Sequence, residues 1–134
     1  MDRPLIYLVF TDDWELRGDG SGDIERIQFA PMRRLLDIFE KHGMHCTFMA
    51  EMMQQLTFRA RQNEYPELET LADQWDEHVR DAYRRAHDVQ LHLHTQWSDP
   101  KYQDGNWQLG GSWSILNYTP NDAAQMIANG TRYL

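Results

Sequence analysis

The apolar run "LIYLVF" at 5–10 is continuous, aromatic and partly β-branched, which predicts a strand buried on both faces of a parallel sheet. It ends in "TDDWE" and a Gly/Asp/Ser segment, "LRGDGSGD", that reads as a loop. In "PMRRLLDIFEKHG", Met32, Leu35, Leu36 and Phe39 repeat at i, i+3, i+4 and i+7. Pro31 suits the first turn of a helix there and Gly43 its C-terminal stop. "HCTFMA" (45–50) predicts a second short strand, and "EMMQQLTFRARQN" a weakly patterned helix. From Pro66 the helical stripe is strong: Leu68, Leu71, Ala72, Trp75, Val79, Ala82, Tyr83 and Ala86 share a face. "DVQLHLH" then alternates, with Val89, Leu91 and Leu93 on one side and Gln90, His92 and His94 on the other. Residues 95–118 have no period. A last helix starts at Thr119 as N-cap, with Pro120 at its first position. Strands alternating with helices predict an α/β fold with parallel strands, organised as a single domain over 1–134.

The alternation at 92–94 is also the first chemical signal. On a strand the two rings share a face, about 6–7 Å apart along the backbone. Hydrogen-bonded core histidines would satisfy that pattern. So would a ligand site, since such sites in α/β proteins lie at strand C-termini. Asp12 and Asp13 follow the first predicted strand, hence lie at the same end. Adjacent carboxylates repel unless a cation or a shared proton compensates, although Asp after a strand also starts turns. One carboxylate with two imidazoles makes a three-ligand site with an open position, the pattern of a catalytic zinc ion. Glu15, two residues on, reads as solvated or as a hydrogen-bond partner.

Composition narrows the classes. Among 134 residues, 13 basic against 21 acidic gives a net charge of −8 without a basic block, so a nucleic-acid partner is not expected. The longest apolar run, "PLIYLVF", is too short to span a membrane and lacks the features of a secretory signal. Cys46 is the lone cysteine, which excludes a disulfide framework and a cysteine zinc cage and fits a cytoplasmic protein.

"VFTDDWE" resembles the first motif of the polysaccharide deacetylases, and "AHDVQLHLH" resembles their second, the strand that leads into metal-binding histidine. The resemblance implies a distorted (β/α) barrel and a metal-dependent hydrolase that removes acetyl groups from N-acetylated sugars. It implies Asp12 as general base, Asp13 and His92 as ligands of a divalent ion, and zinc as that ion. The family's second metal histidine lies four residues after the first, where this chain has Gln96. His94 is the substitute, as in a subgroup reading His-Leu-His-Pro-Gln-Trp, with Thr95 here in place of proline. Trp14, Gln96, Trp97 and Trp107 are the expected substrate contacts. The resemblance covers nearly all of this chain but about the first half of the family's domain. The family's Arg-containing strand and late general-acid histidine belong to the other half, which leaves His87 as a fallback acid. A half barrel has unpaired edges, so a homo-oligomer covering the open edge is expected.

Two other classes compete with the deacetylase. A non-catalytic metal- or glycan-binding module would keep the first two motifs alone. A glycoside hydrolase would use Asp12 and Glu15 as its carboxylate pair, leaving the histidines unexplained. The segment 97–118 carries Trp97, Tyr102, Trp107, Trp113 and Tyr118 among Asp, Asn and Gln. These rings suit a sugar-binding surface, or a satellite core folded over the sheet end. Trp97 is expected as a wall of the site, and Trp107, after the turn-like "QDGN", as partly exposed.

Overall fold

The structure is a computed structural model that describes residues 4–134. Three parallel strands, β1 (Thr11–Trp14), β2 (Thr47–Glu51) and β3 (Asp88–His92), pair in chain order with β2 in the centre. Helix α1 (Ala30–Lys41) connects β1 to β2. Helices α2 (Met52–Arg61) and α3 (Glu67–Arg84) connect β2 to β3. Beyond β3 come a 3₁₀ turn (Thr95–Ser98), the antiparallel hairpin β4 (Pro100–Gln103) and β5 (Asn106–Leu109), a second 3₁₀ turn (Ile115–Asn117) and helix α4 (Pro120–Tyr133). The fold is α/β with parallel strands alternating with helices, plus the hairpin. Among the described residues the three-stranded sheet does not close into a barrel.

The first predicted strand is displaced. Residues 5–9 are each at least 75 % exposed, and pairing starts only where the Phe10 carbonyl accepts from the Thr47 amide at 3.0 Å. The cause is the partner strand: α1 ends in a turn at His42 and Gly43, so β2 starts too late to pair with residues 5–9. Helix formation also begins earlier than Pro31. The Asp23 carboxylate accepts the Arg26 N–H at 2.9 Å, and a π-helical turn (Glu25–Phe29) runs directly into α1. That wide turn lies just before Pro31, whose missing N–H would otherwise leave a gap in the regular helical ladder. Ala86 does not continue α3. It is the left-handed residue that ends the helix, at φ +62°, and the His87 N–H reaches back to the Ala82 carbonyl at 3.0 Å.

Alternation sorts the sheet into two faces. Trp14, Phe48 and Ala50 point to the helices and are buried with Phe29, Met32, Leu36, Met52 and Trp75. Val89, Leu91 and Leu93 pack against the same core, as their periodicity predicts. Helix α4 lies close on this face: a Cβ at Gly130 would stand 2.8 Å from a Leu91 methyl, so a larger residue there would have to displace Leu91 and Leu93. The Thr119 hydroxyl accepts the Asp122 N–H, the predicted N-cap of that helix. The other face carries Asp13, Met49 and Glu51, with Gln90 and His92 in register beside them.

Candidate metal centre

Four side chains converge at the C-terminal end of the sheet. The ligand atoms of Glu15, Glu51, His92 and His94 all lie within 4.8 Å of one another. His92 ends β3, and His94 stands two residues further on the same side, as the alternation requires. Glu15 directly follows β1 on the face of Asp13. Its carboxylate meets His92 Nε2 at 3.1 Å and His94 Nε2 at 2.7 Å. The two ring nitrogens are 2.8 Å apart. Glu51 ends the central strand and is the N-cap of α2. One of its oxygens accepts from Met53 N at 2.7 Å and Gln54 N at 3.4 Å. The other, Oε2, is buried without a hydrogen-bond partner.

Buried glutamines hold Glu15 in place. Gln28 donates to the Trp14 carbonyl at 3.2 Å and receives the Trp14 indole N–H on its own carbonyl at 3.0 Å. Gln54 donates to the Gln28 side chain at 2.8 Å and accepts the Leu16 N–H at 3.3 Å. The backbone on both sides of Glu15 is thereby fixed from within the core. Gln96 does the same for His94: its amide nitrogen sits 2.6 Å from Nδ1 and 3.2 Å from the Gly18 carbonyl, with Nε2 left facing Glu15. The Gln96 N–H meets Nδ1 as a donor, which fixes the orientation of the His94 ring and in the neutral imidazole leaves the proton on Nε2, toward Glu15.

The electrostatics are those of a charged cluster held partly out of water. Burial would raise the Glu15 carboxyl, but the hydrogen bonds and charges of His92 and His94 outweigh it and hold it at about 2. Both histidines are shifted upward, chiefly by Glu15. Glu51 goes the other way: burial pushes its carboxyl up to about 7, and the histidines and the two amides offset only part of that. A buried carboxylate oxygen without a donor is expensive unless a proton or a cation meets it. Two imidazoles and two carboxylates form a donor set that zinc and its neighbours among the divalent metals accept.

The structure brings together some of the sequence-predicted residues and separates others. His92 and His94 belong to the cluster, whereas Asp12 and Asp13 do not. Asp12 is in register with Phe48, on the helix side of the sheet, and its charge acts on the buried Cys46. Burial, then the neighbouring Asp13, raises its carboxyl. Asp13 is exposed on the cluster's face, and its charge contributes to the upward shift of His92. Trp14 is 2 % exposed and packs on Trp75 and Phe29, so it has no surface for a substrate. Gln96 is buried beneath His94, and Trp97 is walled in by Phe58 and Trp107. Trp107 is 8 % exposed, contrary to the expected exposure, because the hairpin folds it into a satellite core with Leu16, Phe58 and Leu68. His87 is buried next to Phe39 and Phe48 beyond the opposite, N-terminal end of β3, with Nδ1 accepting from Cys46 N. It cannot serve as an acid at the cluster.

Sequence reasoning missed both glutamates as members of the cluster. A signal was present for each. Glu15 follows Asp13 at the spacing that keeps a side chain on one face, and Glu51 ends the strand "TFMAE", where a carboxylate both caps the next helix and faces the site. No family model, curated protein or solved structure matches this chain.

Proposed function

We propose that this chain carries the metal centre of a metal-dependent hydrolase acting on N-acetylated carbohydrate, a deacetylase of the polysaccharide deacetylase type. The observation that supports it most directly is the buried Glu51, which has one carboxylate oxygen without a hydrogen-bond partner and whose carboxylate gathers with Glu15, His92 and His94 at the C-terminal ends of parallel strands. Those four side chains would hold the ion. When bound, a divalent ion of this kind polarises a carbonyl and acidifies water. The residues around it do the rest. Gln28 and Gln54 fix Glu15, and Gln96 orients His94. Asp13 rather than Asp12 faces the site as a free carboxylate and is the group placed to take the proton of the attacking water. The choice of an acetamide, and a barrel completed beyond these three strands, rest on the resemblance of "VFTDDWE" and "AHDVQLHLH" to that family.

Metal analysis of the purified protein and of Glu51→Gln and His94→Ala tests the centre. The expected result is about one zinc per chain in the wild type. Each variant should bind at least tenfold more weakly, with the EDTA-sensitive part of the thermal stability lost. Near-zero metal in all three refutes the site. Acetate release from N-acetylated oligosaccharides tests the activity. Metal binding without release would assign the chain to the metal- or glycan-binding modules instead.

A further inference from the structure

Of the five tryptophans, Trp14, Trp75, Trp97 and Trp107 are core residues, while Trp113 stays 71 % exposed. Its loop is nonetheless stitched down. The Thr95 hydroxyl donates to the Ser112 carbonyl at 2.6 Å, and Gly111 N donates to the Gln96 carbonyl at 3.1 Å. The Tyr118 hydroxyl accepts from Ser112 N at 2.8 Å and donates to the Thr95 carbonyl at 3.1 Å. Gly111 sits so close that a Cβ there would stand 2.4 Å from the Thr95 carbonyl oxygen. The backbone before Trp113 is therefore fixed to residues 95–96, immediately after His94.

The indole is also seated on its other side. A Cβ built on Gly18 would lie 2.7 Å from Cη2 of Trp113 and 3.0 Å from its Cζ3, so the ring edge rests directly on that glycine. The Gly18 carbonyl accepts from Gln96, and Gln96 contacts His94. An unbroken line of contacts thus runs from an exposed aromatic ring to the metal cluster. A large apolar ring held in place beside a polar site, with most of its surface in water, has the form of a stacking platform.

We propose that Trp113 stacks on a pyranose ring of an N-acetylated oligosaccharide, in the subsite next to the one that presents the acetamide to the metal centre. This rests on the deacetylase reading above. The apolar C–H face of the sugar covers the indole, and its hydroxyls remain in the surrounding water. Neither Trp97 nor Trp107 can take that role, because both are consumed by the satellite core.

The test uses tetrasaccharides of N-acetylglucosamine, N-acetylgalactosamine and N-acetylmannosamine as probes, with acrylamide quenching of tryptophan emission as readout. Trp113 supplies most of the quenchable emission, so a stacking sugar should protect it. Trp113→Ala should weaken binding of the preferred probe about tenfold, the scale of one stacked ring. Trp113→Phe should recover part of that loss. Gly18→Ala keeps the indole but forces it off its seat, and should weaken binding without removing a tryptophan. Zinc content should be unchanged in both Trp113 variants, because the ring touches no ligand atom. Wild-type affinity in Trp113→Ala, or no protection by any probe, overturns the proposal. Loss of the metal centre itself would show separately, as absence of zinc from the wild-type protein.

Discussion

Trp107→Ala removes the central ring of the satellite core. Trp107 stacks on Phe58 at 5.6 Å and 12°, meets Tyr102 at 4.5 Å and abuts Trp97 at 5.1 Å. Its Cβ stands 2.8 Å from where a Cβ on Gly20 would be, so the loop after β1 leans on it as well. Truncating a large aromatic ring in such a setting costs about 3–5 kcal/mol, combining lost burial with a cavity that rigid neighbours cannot fill. Unfolding entropy of about 2.1 cal/mol/K per residue, over 134 residues, makes each kcal/mol worth roughly 3.5 °C in melting temperature. The expected fall is therefore about 11–18 °C, read by circular dichroism or calorimetry. Trp113→Ala is the control: its ring is mostly in water, and the change should stay within about 0.5 kcal/mol, or about 2 °C. A Trp107→Ala protein melting within about 3 °C of wild type would refute the satellite core. The hairpin would then be a loosely held flap whose rings are free for a ligand.

Ala86 occupies a left-handed position at φ +62°, where a side chain costs about 1 kcal/mol and glycine costs nothing. Ala86→Gly should raise stability by about 0.5–1 kcal/mol in urea unfolding, and a loss of stability would show that α3 does not end there as described. Cys46 is 3 % exposed, and burial, aided by the Asp12 charge, pushes its thiol up to about 11. A thiolate forms only as pH approaches that value, so native protein at pH 8 should react with a thiol reagent far more slowly than protein in denaturant. Equal rates would place Cys46 at the surface.

The helices and the faces of the strands were legible because burial imposes a period on the sequence. Met32, Leu36, Leu68, Ala72 and Trp75 could be assigned to cores from spacing alone, and all are buried. Thr119 and Pro120 marked the start of α4 because a capping hydroxyl and a residue without an N–H suit that junction. The run 5–10 misled for a reason no local pattern contains. Whether an apolar stretch becomes a buried strand depends on the length of its neighbour, and β2 begins too late to cover it. The hairpin was missed although its turn was in plain view. Asp104 and Gly105 both take positive φ, the two-residue turn that suits a tight hairpin, but strands of four residues are too short to show a period.

At the site, the histidines were read from spacing, while the signals of the glutamates were weaker, and the difference is physical. His92 ends a strand whose other face is apolar, and His94 continues its alternation past the strand end, so their shared face could be read before any partner was known. Glu15 lies past the end of β1, where a chain that has left the sheet can turn a side chain anywhere. Its direction is set by Gln28 and Gln54, residues 13 and 39 positions away that meet the Trp14–Leu16 backbone only in three dimensions. Glu51 is ambiguous for the opposite reason. A carboxylate before a helix has a sufficient local role as a cap, and its second oxygen acquires meaning only when β1 and β3 bring Glu15 and His92 beside it. The adjacent aspartates drew attention because a repelling pair looks deliberate in one dimension. Strand alternation then divides them between the two faces of the sheet, so that Asp13 still raises the Asp12 carboxyl but is the one of the pair on the side of the candidate cluster.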